Sequence, residues 1–199
     1  MSTILLPDRP APRIFTPRPV TKGSDLIPIL GGVDIAYNRV GDKWAVTFDL
    51  PPMTHERATV WGARLARGRN GSVRMRIPQP GISIRGNPGS VTVNGASQAG
   101  STLNVENGRQ NFLLREGQWI TVETGGRGFL YNIGEEVRFG AGGTAALSID
   151  PMIRRSPADG DLVEILEPYI EGRLEVREAG WTLDVAMTNG LSFTVIERE

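Results

Sequence analysis

An interruption constrains this chain more than any other feature. Residues 35–77 read as strand, strand, helix, strand, and residues 169–197 read as a second run of alternating strands. Between them lies a long stretch of short strands punctuated by glycines, among them Gly95, Gly100, Gly108, Gly117, Gly125, Gly126, Gly134, Gly142, Gly143 and Gly160. Evenly spaced short strands with turns between them are the pattern of a small barrel or sandwich. The predicted fold is therefore mainly β, with two flanking runs zipped into one hydrophobic layer and the middle as a detachable module. Residues 31–80 plus 168–199 form a β-sandwich with one α-helix, and residues 81–167 form an inserted small β-barrel.

The flanking runs carry clear periodicity. Trp44, Val46, Phe48 and Leu50 alternate with smaller or polar residues, which places four large side chains on one strand face. Ile35 to Val40 reads as its hairpin partner across a Gly41-Asp42 turn. Thr54 stands where a helix N-cap belongs, and Ala58, Trp61 and Leu65 share one face of a helix from His55 to about Arg67. Val73, Met75 and Ile77 begin the next strand. After the module, Ile170, Gly172, Leu174 and Val176 alternate, then Trp181, Leu183, Val185 and Met187. Asn189-Gly190 signals a tight turn before Leu191, Phe193 and Val195.

Residues 1–30 read as an extended proline-rich N-terminal arm. Pro7, Pro10, Pro12, Pro17 and Pro19 remove amide donors and favour extended backbone. Ile4, Leu5, Leu6, Ile14, Phe15 and Val20 give this stretch more apolar surface than a disordered leader carries. The arm is thus expected to order against a neighbouring subunit, and deletion of residues 1–20 to leave a folded monomer.

Composition excludes several function classes. With 22 basic and 22 acidic residues the net charge is zero, so no general attraction to nucleic acid or an anionic membrane follows. From Pro88 to Pro168 there are 6 basic and 10 acidic residues, so the module is acidic and its flanks basic. Cysteine is absent and His55 is the only histidine, which removes thiolate chemistry and multi-histidine metal sites and disfavours a Ser-His-Asp triad. No apolar run approaches a membrane span, and the first residues lack the basic segment and long apolar stretch of a secretory signal.

The remaining chemistry is sparse. Asp159-Gly160-Asp161 reads as a turn, because an EF-hand loop needs more ligands and a terminal Glu. Gly140-Ala-Gly-Gly143 is not followed by Lys-Ser or Lys-Thr, so it reads as a hairpin turn and not a phosphate cradle. Arg64, Arg67 and Arg69 at the helix end, with Arg74 and Arg76 on the next strand, form a potential basic patch. Trp119, Phe129 and Tyr131 are a candidate glycan platform. No catalytic, cofactor or metal residues are assigned, and the chain reads as a non-enzyme.

Two segments resemble the distal tail (Dit-like) proteins of long-tailed bacteriophages and prophages. One is Trp44-Ala-Val-Thr-Phe-Asp-Leu-Pro-Pro-Met53 with the Trp61 helix and the Val73–Ile77 strand. The other combines Val93-Asn-Gly-Ala-Ser-Gln-Ala-Gly-Ser-Thr-Leu103, Arg115-Glu-Gly-Gln118, Ala146-Leu-Ser-Ile-Asp-Pro-Met-Ile-Arg154 and Gly160-Asp-Leu-Val163. The resemblance implies an OB-like insert and a hexameric ring that joins the tail tube to the tip hub and anchors a receptor-binding protein or fibre. It places the chain in the virion, at the tail tip, after synthesis in the host cytoplasm. Ile14, Phe15, Arg74 and Arg76 are the candidate inter-subunit contacts. A tail tube or head–tail connector ring subunit, and a carbohydrate-binding module, are the alternatives.

Overall fold

A computed structural model of the chain describes residues 3–26, 31, 33, 35–37, 41–82, 86–175, 182–183, 188–189 and 191–198. Around the insert lie strands β1 (Thr3–Leu5), β2 (Ile14–Val20), β3 (Ser24–Leu26), β4 (Ile35–Tyr37) and β5 (Lys43–Asp49), helix α1 (His55–Gly68) and strand β6 (Ser72–Arg76). The insert contributes β7 (Thr92–Val93), β8 (Gly100–Glu106), β9 (Leu113–Leu114), β10 (Trp119–Thr124), β11 (Arg127–Ile133), β12 (Val137–Arg138), β13 (Ala145–Ile153) and β14 (Val163–Glu164). The chain then returns through β15 (Tyr169–Glu175), β16 (Thr182–Leu183), β17 (Thr188–Asn189) and β18 (Ser192–Glu197). The architecture is the mainly β one expected, with a single described helix and an inserted barrel.

The two ends of the chain build one six-stranded sheet in the order β1-β6-β15-β18-β5-β2. Val46 and Phe48 of β5, Val73 and Met75 of β6, Ile170 of β15 and Phe193 and Val195 of β18 bury one face. Trp61 and Leu65 of α1 pack onto it, and the Trp61 ring lies 5.8 Å from that of Phe193. The insert forms a second six-stranded sheet, β14-β10-β11-β13-β8-β7. A bridge between Thr92 and Leu162, with Val93 N donating to Asp161 O and Val163 N to Val91 O, nearly closes it into a barrel. Its interior is a separate core that includes Leu103, Ile120, Phe129, Tyr131 and Leu147.

Four expectations are corrected. Residues 3–5 and 14–20 are not an arm reaching for a neighbour; they are the two edge strands of the chain's own sheet. Leu6 is buried, and Ile4 and Phe15 pack against the sheet core, so burial of the leader's apolar face fixes it in place. Pro17 and Pro19 suit this position. For them to ladder with Val46 and Trp44, the amides of Thr16 and Arg18 must point at β5, which leaves both proline nitrogens on the free edge. Second, β4 pairs with β3 and not with β5, whose neighbours are β2 and β18. A strand buried as deeply as β5 needs partners on both sides.

Third, Thr54 occupies the N-cap position but its hydroxyl makes no capping bond; its carbonyl accepts from Ala58 N at 3.0 Å. Fourth, the barrel does not hang free as an appendage: buried hydrogen bonds and ring contacts join it to the end-built sheet. The expected strand positions Val176, Trp181, Val185 and Met187 and the Gly190 turn position lie outside the described residues, although Thr182–Leu183 pairs with Thr188–Asn189. Residues 38–40, the end of the first expected strand, also lie outside them.

Candidate functional site: the joint between sheet and barrel

The joint starts from an incomplete strand edge. β11 pairs with β10 from Arg127 to Asn132, but with β13 only at Asn132 and Ile133. The amides of Gly128 and Leu130 are buried there without a strand partner, a costly state for backbone donors. Two carboxylates from neighbouring strands of the other sheet satisfy them. Glu171 on β15 accepts from Gly128 N at 3.3 Å, and Glu197 on β18 accepts from Leu130 N at 2.7 Å.

Each carboxylate has further partners. Glu197, 1% exposed, also accepts from Trp44 N at 2.8 Å and from Arg154 Nη2 at 2.9 Å. Arg154 is itself buried, with Nε and Nη1 lacking an acceptor, and its guanidinium lies 5.3 Å from the Phe129 ring. Glu171 accepts from Thr3 Oγ1 at 2.9 Å and from Arg74 Nη2 at 3.0 Å. Arg74 also approaches Glu123 of the barrel at 3.6 Å and stacks 4.0 Å from the centre of the Tyr169 ring. The Tyr169 hydroxyl donates to Glu123. The Thr121 hydroxyl accepts from Tyr169 N and donates to Tyr169 O, both at 2.8 Å, so one side chain imitates a strand partner.

Burial pushes the Tyr131 hydroxyl up to about 12, with Glu197 adding to the shift and Arg154 opposing it. Tyr169 is raised further, first by burial and then by its bond to Glu123. Both phenols are neutral at ordinary pH and act here as hydrogen-bonding and packing groups.

Apolar contacts complete the joint. Trp119 of β10 lies edge-on to Trp44 at 4.8 Å and to Phe15 at 6.2 Å, and Leu130 joins the core of the end-built sheet. Gln79, where the chain leaves that sheet, accepts from Trp119 N at 2.9 Å. Trp44 Nε1 donates to Asp150 O at 3.3 Å. Removing the barrel would therefore expose apolar surface and strand both glutamates without their barrel donors.

The candidate residues scatter. Ile14 is 45% exposed on edge strand β2 and Arg76 is exposed and paired with Glu167 at 3.0 Å, so both present surface. Phe15 packs inward against Phe48 and Trp119, and Arg74 sits on β6, an interior strand, engaged within the chain. Neither is a free contact. The glycan platform is not formed: Trp119 is spent on the joint, while Phe129 and Tyr131 are 2% exposed inside the barrel. A sugar cannot stack on a ring already covered on both faces. Glu171 and Arg154 escape a reading of the sequence because each sits where alternation predicts a solvated position, whereas Glu197 continues the inward run of Leu191, Phe193 and Val195 as a carboxylate. Only the neighbouring apolar residues Ile170 and Ile196 on those strands hint at cover.

Asp159 and Asp161 are turn acceptors, bonding Gly95 N at 2.7 Å and Ala158 N at 2.8 Å. Gly140-Ala-Gly-Gly143 is a tight turn closed by Gly143 N donating to Gly140 O. Among the described residues no group of three or more His, Cys, Asp or Glu side chains is placed to hold a metal ion, and no helix is long and apolar enough to cross a membrane. A groove of about 410 Å³ runs between Asp8–Pro12, the end of β6 and Leu166, without converging catalytic groups. The chain matches no family model and no curated protein.

Proposed function

We propose that the chain is a structural ring subunit at the distal end of a phage tail, joining the tail tube to the tip hub. The observation that carries this reading is the joint. A barrel locked by two buried glutamates to a sheet built from both chain ends is a rigid two-part block, suited to transmitting position between neighbours. The Trp44–Met53 segment, the Trp61 helix and the barrel turns that resemble distal tail proteins supply the rest of the support. On this reading the partners are further copies, a tail tube protein, the hub, and a receptor-binding protein or fibre. The protein acts in the virion without catalysis or cofactor.

Electron microscopy and native mass spectrometry of the purified protein test this. Single closed rings, hexameric on the family pattern, are expected. Long stacked tubes would favour a tube subunit instead, and a monomer at every concentration would overturn the ring reading.

A further inference from the structure

The exposed large apolar side chains of the described surface include two pairs, one set among arginines and the other beside carboxylates, with Leu166 also bordering the groove that holds Arg9 and Arg76. On α1, Arg57, Val60, Arg64 and Arg67 recur at three- and four-residue spacing and share a face beside β1. Val60 is 46% exposed and Leu5 of β1 is 58% exposed. Arg64 Nη1 donates to Leu5 O at 2.8 Å, tying helix to strand, and a shallow groove of about 360 Å³ runs between them. Arg57 and Arg67 have no acidic partner among the described residues, and no acidic residue follows Glu56 within the helix.

The second pair lies on the barrel. Around β14, Leu162, Glu164 and Leu166 alternate with buried Val163 and Ile165, so they face outward together. Leu162 and Leu166 are 40% and 43% exposed. Asp159 and Asp161 flank them; the carboxylates of Asp159, Asp161 and Glu164 accept only backbone amides and meet no cation among the described residues.

We infer that the α1 face of one copy docks on the β14 face of the next. The two patches are opposite in charge and each mixes charged with exposed apolar side chains, Glu164 lying between Leu162 and Leu166, and the chain as a whole is neutral. Two different patches meeting head to tail make a heterologous contact, the kind that closes rings. Sheet extension is a poor alternative. Proline removes the outward donors at positions 17 and 19 of β2, and Arg64 occupies the Leu5 carbonyl of β1. This inference rests on the ring reading and names the surface that the ring would use.

Charge exchange tests it. Arg57→Glu with Arg67→Glu turns the helix face net negative at two side chains without an acidic partner among the described residues, at the cost only of Arg67's favourable place in the last helical turn. Glu164→Arg combined with Asp159→Asn and Asp161→Asn, whose amide oxygens keep the turn bonds, turns the other face net positive. Each variant alone is expected to weaken assembly at least about tenfold in native mass spectrometry, and high salt to weaken the wild type. Mixed in equal amounts, the two variants restore complementary pairs and should assemble as alternating rings. Variants that assemble like wild type, or a mixture that stays dissociated while both remain folded by circular dichroism, would overturn this contact and spare the ring reading. A wild type that never assembles would overturn both. Normal assembly of the arginine variant with lost affinity for duplex DNA would assign the helix face to nucleic acid instead.

Discussion

At the scale of single residues, Glu197 has the most consequences. Its carboxylate serves Trp44 N, Leu130 N and Arg154, so it joins β5, β11 and the end of β13. A buried ion pair adds little over a well-packed apolar pair, but breaking one side leaves an uncompensated charge. Glu197→Gln is expected to cost about 3–5 kcal/mol in urea denaturation, and adding Arg154→Met to recover part of it. Equal stability of the single variant and the wild type would show that Arg154 is compensated by other means. Tyr131 makes a second prediction. Its hydroxyl ionises near 10 in the unfolded chain but only at about 12 when folded. Between those values the unfolded state binds fewer protons, so stability is full below pH 10 and falls as pH rises, by up to about 1.4 kcal/mol per pH unit. Tyr131→Phe should flatten that slope in melts from about pH 9 to 12; an unaltered slope would put the titration elsewhere.

At the scale of elements, what could be read depended on whether a segment's partners left a periodic trace. α1 and β5 show single apolar faces, and both form close to the expected bounds. β13 keeps its alternation through Pro151 to Ile153 but shifts register against β8 after Ser148, which no period reports, and the two-residue β9 is too short to show any period. The leader misled because proline density masks an edge strand: the donors it removes are those an edge does not need. The expectation for the truncated chain therefore reverses. Deleting residues 1–20 removes β1, β2, Leu6 and Phe15, and strips one flank from β5 and β6. The shortened chain should precipitate or lose its cooperative melt. A well-folded monomer would show that the sheet does not need its edges.

At the scale of the whole molecule, the interruption in the sequence correctly marked two cores but not how they are coupled. Periodicity reports which face of a strand is covered, and it cannot report that polar residues on the other face are covered too. Glu171 is such a residue, while Glu197 ends the covered face of β18, and through both the barrel and the sheet share hydrogen bonds in addition to Trp119 and Leu130. Unfolding followed by calorimetry should therefore give one transition, with limited proteolysis sparing the Pro78–Gln79 and Glu167–Pro168 crossings. Two resolved transitions, or clean release of the barrel, would show that the halves are independent.

The order of strands has a consequence for synthesis. β18, which follows every other strand of its sheet in the chain, is inserted between β15 and β5, near the middle of the sheet. Until the ribosome has delivered residues 192–197, β1-β6-β15 and β5-β2 are two flaps with no ladder between them, each with an open row of amides. The barrel, contiguous in the chain, can mature meanwhile. Emergence of β18 then works as a keystone, so nascent chains stalled short of it should be the species that chaperones hold.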